Sequence, residues 1–177
     1  MGIETSGRRP GRLSISNLST GQSIEAQFNP TGLEESLEVN WARHTVPGLS
    51  HQPMHFVNTG NTKLTLELNF DVQDGTSALN DLYASKRFLQ SLCYPRANAS
   101  NVATGGPPRA LFVWPGAISL TCVIGSLSFR YGRFNVEGTP VQFTARVTLE
   151  EIRDVRLTSE DVLRDGSRRS ARAPEEP

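Results

Sequence analysis

A chain of 177 residues can bury about two thirds of the surface that its unfolded form exposes, so a single domain with an ordinary apolar core is expected, without staples. Its 18 basic and 18 acidic residues cancel, which removes any overall attraction to nucleic acid or to an anionic membrane. No apolar run approaches the ~20 residues that span a bilayer, so direct membrane insertion is not expected.

Residues 1–11, MGIETSGRRPG, are polar and rich in Gly and Arg, which predicts a flexible N-terminal arm. The arginines have no apolar segment behind them, so no classical secretion signal is expected. Leu13, Ile15 and Leu18, then Ile24, Ala26 and Phe28, predict an N-terminal hairpin that Asn29-Pro30-Thr31-Gly32 brings to a stop. A third strand is predicted over 33–41, with Leu37, Val39 and Trp41 on one face and Glu34, Ser36, Glu38 and Asn40 on the other. From 42 to 62 periodicity fails. Val46, Pro47, Leu49, Pro53, Met54 and Phe56 are scattered among polar residues, which predicts a long loop with apolar side chains, and such loops are commonly bound to something.

The clearest strand lies at 63–72. Leu64, Leu66, Leu68, Phe70 and Val72 alternate strictly with Thr65, Glu67, Asn69 and Asp71, giving one buried and one wetted face. Asp74-Gly75 breaks this pattern, Ser77 stands as a helix N-cap, and Leu79, Leu82, Tyr83, Leu89 and Leu92 form a helical apolar stripe flanked by Phe88. Residues 94–109 are rich in Gly, Pro and Asn and predict an exposed irregular segment. Ala110 to Trp114 reads as a short strand closed by Pro115-Gly116. Ile118, Leu120, Cys122 and Ile124 alternate, and the phase slips at Gly125 before Leu127, Phe129 and Tyr131, which is how a glycine bulge is written in sequence. After a turn at Glu137-Gly138, Val141, Phe143, Ala145, Val147 and Leu149 make the last long strand. Residues 157–177 form a charged tail expected to be disordered. One helix among many strands predicts a mainly β (α+β) domain over 12–156 whose open face or end a single helix covers.

Little in the chain suggests chemistry. His44, His51 and His55 share one segment, but the four-residue spacing of the last two converges imidazoles only on a helix, and no cysteine or carboxylate lies nearby, so no metal is expected. Asp71 and Asp74 are explained by turn-making, and Gly105-Gly106 is followed by prolines rather than a helix. Without a nucleophile elbow, a phosphate loop or a serine–histidine arrangement, neither enzyme activity nor a cofactor is expected. Cys93 and Cys122 read as reduced, buried thiols, with a disulfide between them as the alternative. Most aromatics, Trp41, Trp114 and Phe129 among them, fall on predicted strands and read as core; Phe56 and Tyr94 fall on loops and read as contacts with another subunit. The arginine pairs Arg8-Arg9 and Arg168-Arg169 lie in polar tails without interleaved aromatics, so no nucleic-acid partner is expected.

The order of features carries a resemblance. AQFNPTGLEESLEVNWARHTVPGL, a polar gap with Phe56 and Gly60, and then KLTLELNFDV resemble the tube-type domain of contractile injection systems, the phage tail-like particles. Phe28, Asn29, Pro30, Trp41, Pro47, Phe70 and Asp71 occupy the places of that family's Phe-Asn-Pro opening, tryptophan-bearing strand, proline loop and Phe-Asp strand end. The segment from PPRALFVWPG to FTARVTLEEI is similar to the family's second half, and the resemblance covers about residues 12–153. It implies an antiparallel, tail-tube-like β-barrel or sandwich with one flanking helix, assembled as a hexameric ring of the baseplate or inner tube that links spike hub to tube. Its partners would be copies of itself and the tube, spike-hub and baseplate proteins of the same particle. Inner-baseplate members often carry a lysin-motif domain after this one; here the charged tail stands in that place. Val46, Pro47, Leu49, His51, Met54, His55 and Phe56 are the expected subunit-interface residues, since apolar side chains on a loop are useful only once covered. The alternative is a monomeric β-barrel holding a small apolar or sugar ligand in its mouth.

Overall fold

The computed structural model describes residues 11–72, 76–95, 105–153 and 159–162, with helix side chains from Leu79 onward. In chain order the described elements are β1 (Ser14–Asn17), β2 (Ser23–Glu25), β3 (Leu33–Ser36), β4 (Val39–Arg43), β5 (Met54–Thr59), β6 (Lys63–Asp71), α1 (Thr76–Ser91), β7 (Ala110–Trp114), β8 (Ile118–Tyr131) and β9 (Gln142–Glu151). Seven strands make one antiparallel sheet in the order β2-β1-β7-β8-β9-β6-β3, while β4 and β5 form a separate two-stranded ribbon.

Alternation in β6 and β9 builds the centre of the sheet. Leu64, Leu66, Leu68 and Phe70 lie directly opposite Leu149, Val147, Ala145 and Phe143, and all eight are buried. On the other side of β9, Leu127 and Phe129 of β8 extend the same apolar rows. The register of β8 against β9 shifts between Ile124 and Ser126, so the bulge read at Gly125 is present and keeps both halves of a 14-residue strand facing the core.

Helix α1 connects β6 to β7, which lie on either side of β8 and β9, and covers the apolar rows. Leu82, Leu89 and Leu92 are buried in one cluster with Leu64, Phe112, Cys122, Phe143 and Leu149. Lys86, on the side of the helix expected to be polar, reaches over the β8 aromatics instead, with Nζ 5.6 Å from the Phe129 ring centre and 5.3 Å from that of Tyr131. Its methylenes can cover ring surface while the ammonium stays wet. The helix begins at Thr76, and the capping side chain expected at Ser77 lies outside the described residues.

The sheet is rolled but not closed. In a flat sheet β6 would stand five strand spacings, about 24 Å, from β2, yet Gln27, only two residues beyond β2, bonds to the end of β6. Its side-chain amide accepts from the Asp71 N–H at 2.7 Å and donates to the Asp71 carbonyl at 2.8 Å, as a neighbouring strand would. Two residues on, Asn29 is tied back to the start of β1, accepting from Leu13 N–H and donating to the Gly11 carbonyl, both at 3.0 Å. The Gln27 side chain thus bridges a gap that no ladder bridges, so the expected barrel is an open, curled sheet.

Two local expectations are corrected. The strand expected over 33–41 is two strands, because β3 pairs with β6 only as far as Ser36 and β4 then leaves to pair with β5. The segment 42–62 is not an irregular loop, since β5 pairs with β4 across a tip at 44–53. The arm at 1–10 and most of the tail lie outside the described residues, and a helical turn occupies 159–162.

Both cysteines are free. Burial, and after it the Glu151 carboxylate, push the Cys122 thiol from 9.0 up to about 12. The unfolded chain therefore releases this proton first, so the stabilising contribution is complete below pH 9 and is lost as pH rises towards 12. Urea unfolding measured across that window should show a shallower fall in midpoint for Cys122→Ala than for the native chain; equal slopes would contradict the shift. Leu89→Ala should cost about 2–5 kcal/mol of unfolding free energy with an unchanged m-value, whereas Val136→Ala, at a fully exposed turn, should change it by less than about 0.5 kcal/mol.

Candidate subunit-interface site

The β4–β5 ribbon stands outside the seven-stranded sheet, and every residue of β5 is exposed. Its register places Trp41 opposite Phe56 and Arg43 opposite Met54, so these four side chains share one face. Trp41 and Phe56 meet edge to face with ring centres 5.7 Å apart, yet they remain 49% and 55% exposed. The opposite face carries Ala42, His55 and Val57, with His44 and His55 in edge contact at 5.1 Å. Asn40 donates to the Asn58 side-chain oxygen at 2.9 Å across a register shift between Asn40 and Trp41. Backbone pairing at the base of the tip, His44 N–H to the Pro53 carbonyl at 3.1 Å, and a positive φ of 88° at Gly48 close the hairpin.

The predicted interface residues are distributed over this hairpin. Val46, Pro47, Leu49 and His51 occupy the tip, and Met54, His55 and Phe56 lie on β5; all seven are exposed. The sequence reading took Trp41 for core and placed Leu37 and Val39 on the same strand face; all three are exposed. Val39 and Trp41 alternate on a real strand, β4, but alternation says which residues share a face and not what covers it. Arg43 and Val57 were missed as well. A usable signal was present: residues 39–62 contain no Asp or Glu, although the chain as a whole has 18.

A two-stranded ribbon is marginally stable in water, and this one presents contiguous Trp, Phe, Met and Val side chains to solvent. Aromatic residues and a guanidinium on one face match the composition of protein–protein contacts. Chemistry of another kind has little to work with here. Among the described residues no group of three His, Cys, Asp and Glu side chains is placed to hold a metal ion, and no helix is long and apolar enough to cross a membrane.

The model of the contractile injection system tube protein family matches residues 14–160. No curated protein sequence matches the chain. Among solved structures, a chain of the anti-feeding prophage baseplate, determined by cryo-electron microscopy with sixfold symmetrisation, is 14% identical to it, with 85% of this chain and 95% of that chain covered and a TM-score of 0.35.

Trp41 and Trp114 are the two tryptophans, and only Trp41 is exposed. Acrylamide should therefore quench about half of the native fluorescence readily, and Trp41→Phe should remove most of that accessible fraction while moving the unfolding midpoint little. Persistence of the accessible fraction in the variant would show that the ribbon is packed down.

Proposed function

Because the chain belongs to the contractile injection system tube protein family, we propose that this structural protein works as a hexameric ring of the baseplate or inner tube, linking the spike hub to the tube of a phage tail-like particle. The tube-like domain over 12–156 would form the ring, and the arm at 1–11 and tail at 157–177 would reach other proteins of the particle. The proposal includes synthesis and assembly in a bacterial cytoplasm, and no reaction is required of any residue.

The observation that carries this reading is the exposed apolar ribbon. A monomer gains nothing from keeping Trp41, Leu49, Met54, Phe56 and Val57 in water, whereas a stacked assembly buries them and recovers about 25 cal/mol for each Å² removed from solvent. The polar face of the central strands suits a conduit wall. Thr65, Glu67 and Asn69 of β6 lie opposite Thr148, Arg146 and Thr144 of β9, with Thr65 bonded to Thr148 and Thr144 to Asn69. That face carries hydroxyls, an amide and one charge of each sign, so it can meet water or passing cargo without holding it.

Replacing Leu49 and Phe56 together by Ser should leave the circular dichroism spectrum and unfolding midpoint of the isolated protein near native values and abolish incorporation into sixfold rings in reconstituted particles. Native-like incorporation of the double variant would remove the ribbon from the assembly interface.

A further inference from the structure

The hairpin joins two histidines that lie far apart in the sequence. Ala42 stands opposite His55, and His44, two residues on, shares that face of the ribbon while its backbone N–H donates to the Pro53 carbonyl. His44 and His55 are therefore diagonal neighbours, a relation within reach of long side chains. Their rings meet with centres 5.1 Å apart and planes inclined at 69°. Both residues are exposed, and neither imidazole has a hydrogen-bond or ion-pair partner among the described residues. Residues 39–62 contain no lysine, aspartate or glutamate, and their one arginine, Arg43, lies on the opposite face with Trp41.

We propose that His44 and His55 form a binding site for a divalent transition-metal ion of the zinc type, which staples the two strands of the ribbon across the base of its tip. The separation of the rings carries the inference. An ion bound to an imidazole nitrogen at about 2.0–2.1 Å lies about 3.2 Å from the centre of that ring, and two such ligands at a tetrahedral angle hold their ring centres about 5 Å apart. The observed 5.1 Å is that separation, so small rotations of two exposed side chains suffice to aim one nitrogen of each at a common point. Imidazole suits zinc, nickel and copper, whereas magnesium and calcium favour carboxylate oxygens, which residues 39–62 do not contain. Among the described residues no third histidine, cysteine or carboxylate joins the pair, so the remaining positions of the ion stay open to water. The chelate matters to the hairpin because a two-stranded ribbon is marginal alone. An ion that binds only the paired strands stabilises them by mass action. The inference is independent of the ring reading.

The test is a titration of zinc chloride into the full-length protein by calorimetry, with magnesium as the comparison ion and hydrogen exchange of the ribbon amides followed with and without zinc. The native chain should bind one zinc ion and no magnesium, and exchange across β4 and β5 should slow by about threefold or more when zinc is present. His44→Phe and His55→Phe each keep a ring for the edge contact and remove the ligand. Each should weaken zinc binding by about tenfold or more and leave exchange without zinc near the native rate, so that a lost response is not a lost ribbon. His51→Ala, at the tip, should bind zinc as the native chain does. A native chain that binds no zinc overturns the site, as does binding that survives either phenylalanine variant or falls as far in His51→Ala. Zinc held by the pair without slower exchange overturns the staple.

Discussion

The structure depends on a nine-residue ladder between β6 and β9 in which apolar side chains face each other across every non-polar row. Strict two-residue spacing sends Leu64, Leu66, Leu68 and Phe70 to one side with Val147 and its neighbours, so the sheet has one dry face that must be covered. Helix α1 provides the cover with Leu82 and Leu89, joined by Leu92 just past its end. The bulge at Gly125 keeps β8 in phase with this arrangement over its full length, and the roll of the sheet brings Gln27 to Asp71, where a side-chain amide does the work of a missing strand.

The same ladder explains what is left over. Because β3 pairs with only the first part of β6, the chain that would have continued it departs as the β4–β5 ribbon, which projects from the sheet with its apolar side chains exposed. A self-sufficient monomer would avoid this combination, since exposed edges and apolar ribbons invite association.

How much could be read in advance varied by element. The central strand, the helix, the bulge and the last strand were legible, because their periodicities of two and near four are long enough to be unambiguous. The segment 42–62 was not, since hairpin pairing between Arg43 and Met54 is a non-local fact that no run of residues announces. Trp41 was misplaced for a related reason: it sits on a true strand whose pattern is that of a core strand, but its ring meets Phe56 of the same ribbon and stays 49% exposed.

Composition and periodicity alone determined that the protein is mainly β with a single helix, that its core lies along β6, β8 and β9, and that the segment around Met54 and Phe56 carries apolar groups with no evident place inside. These follow from local geometry, which is set within a few residues. Only the tertiary structure decided that the sheet stays open, that Gln27 bridges its seam, and that Trp41 joins Phe56 on a ribbon held away from the core. Strand order and partnership arise from contacts between distant residues, and the free energy that selects among them is shared over the whole sheet rather than written at any one position.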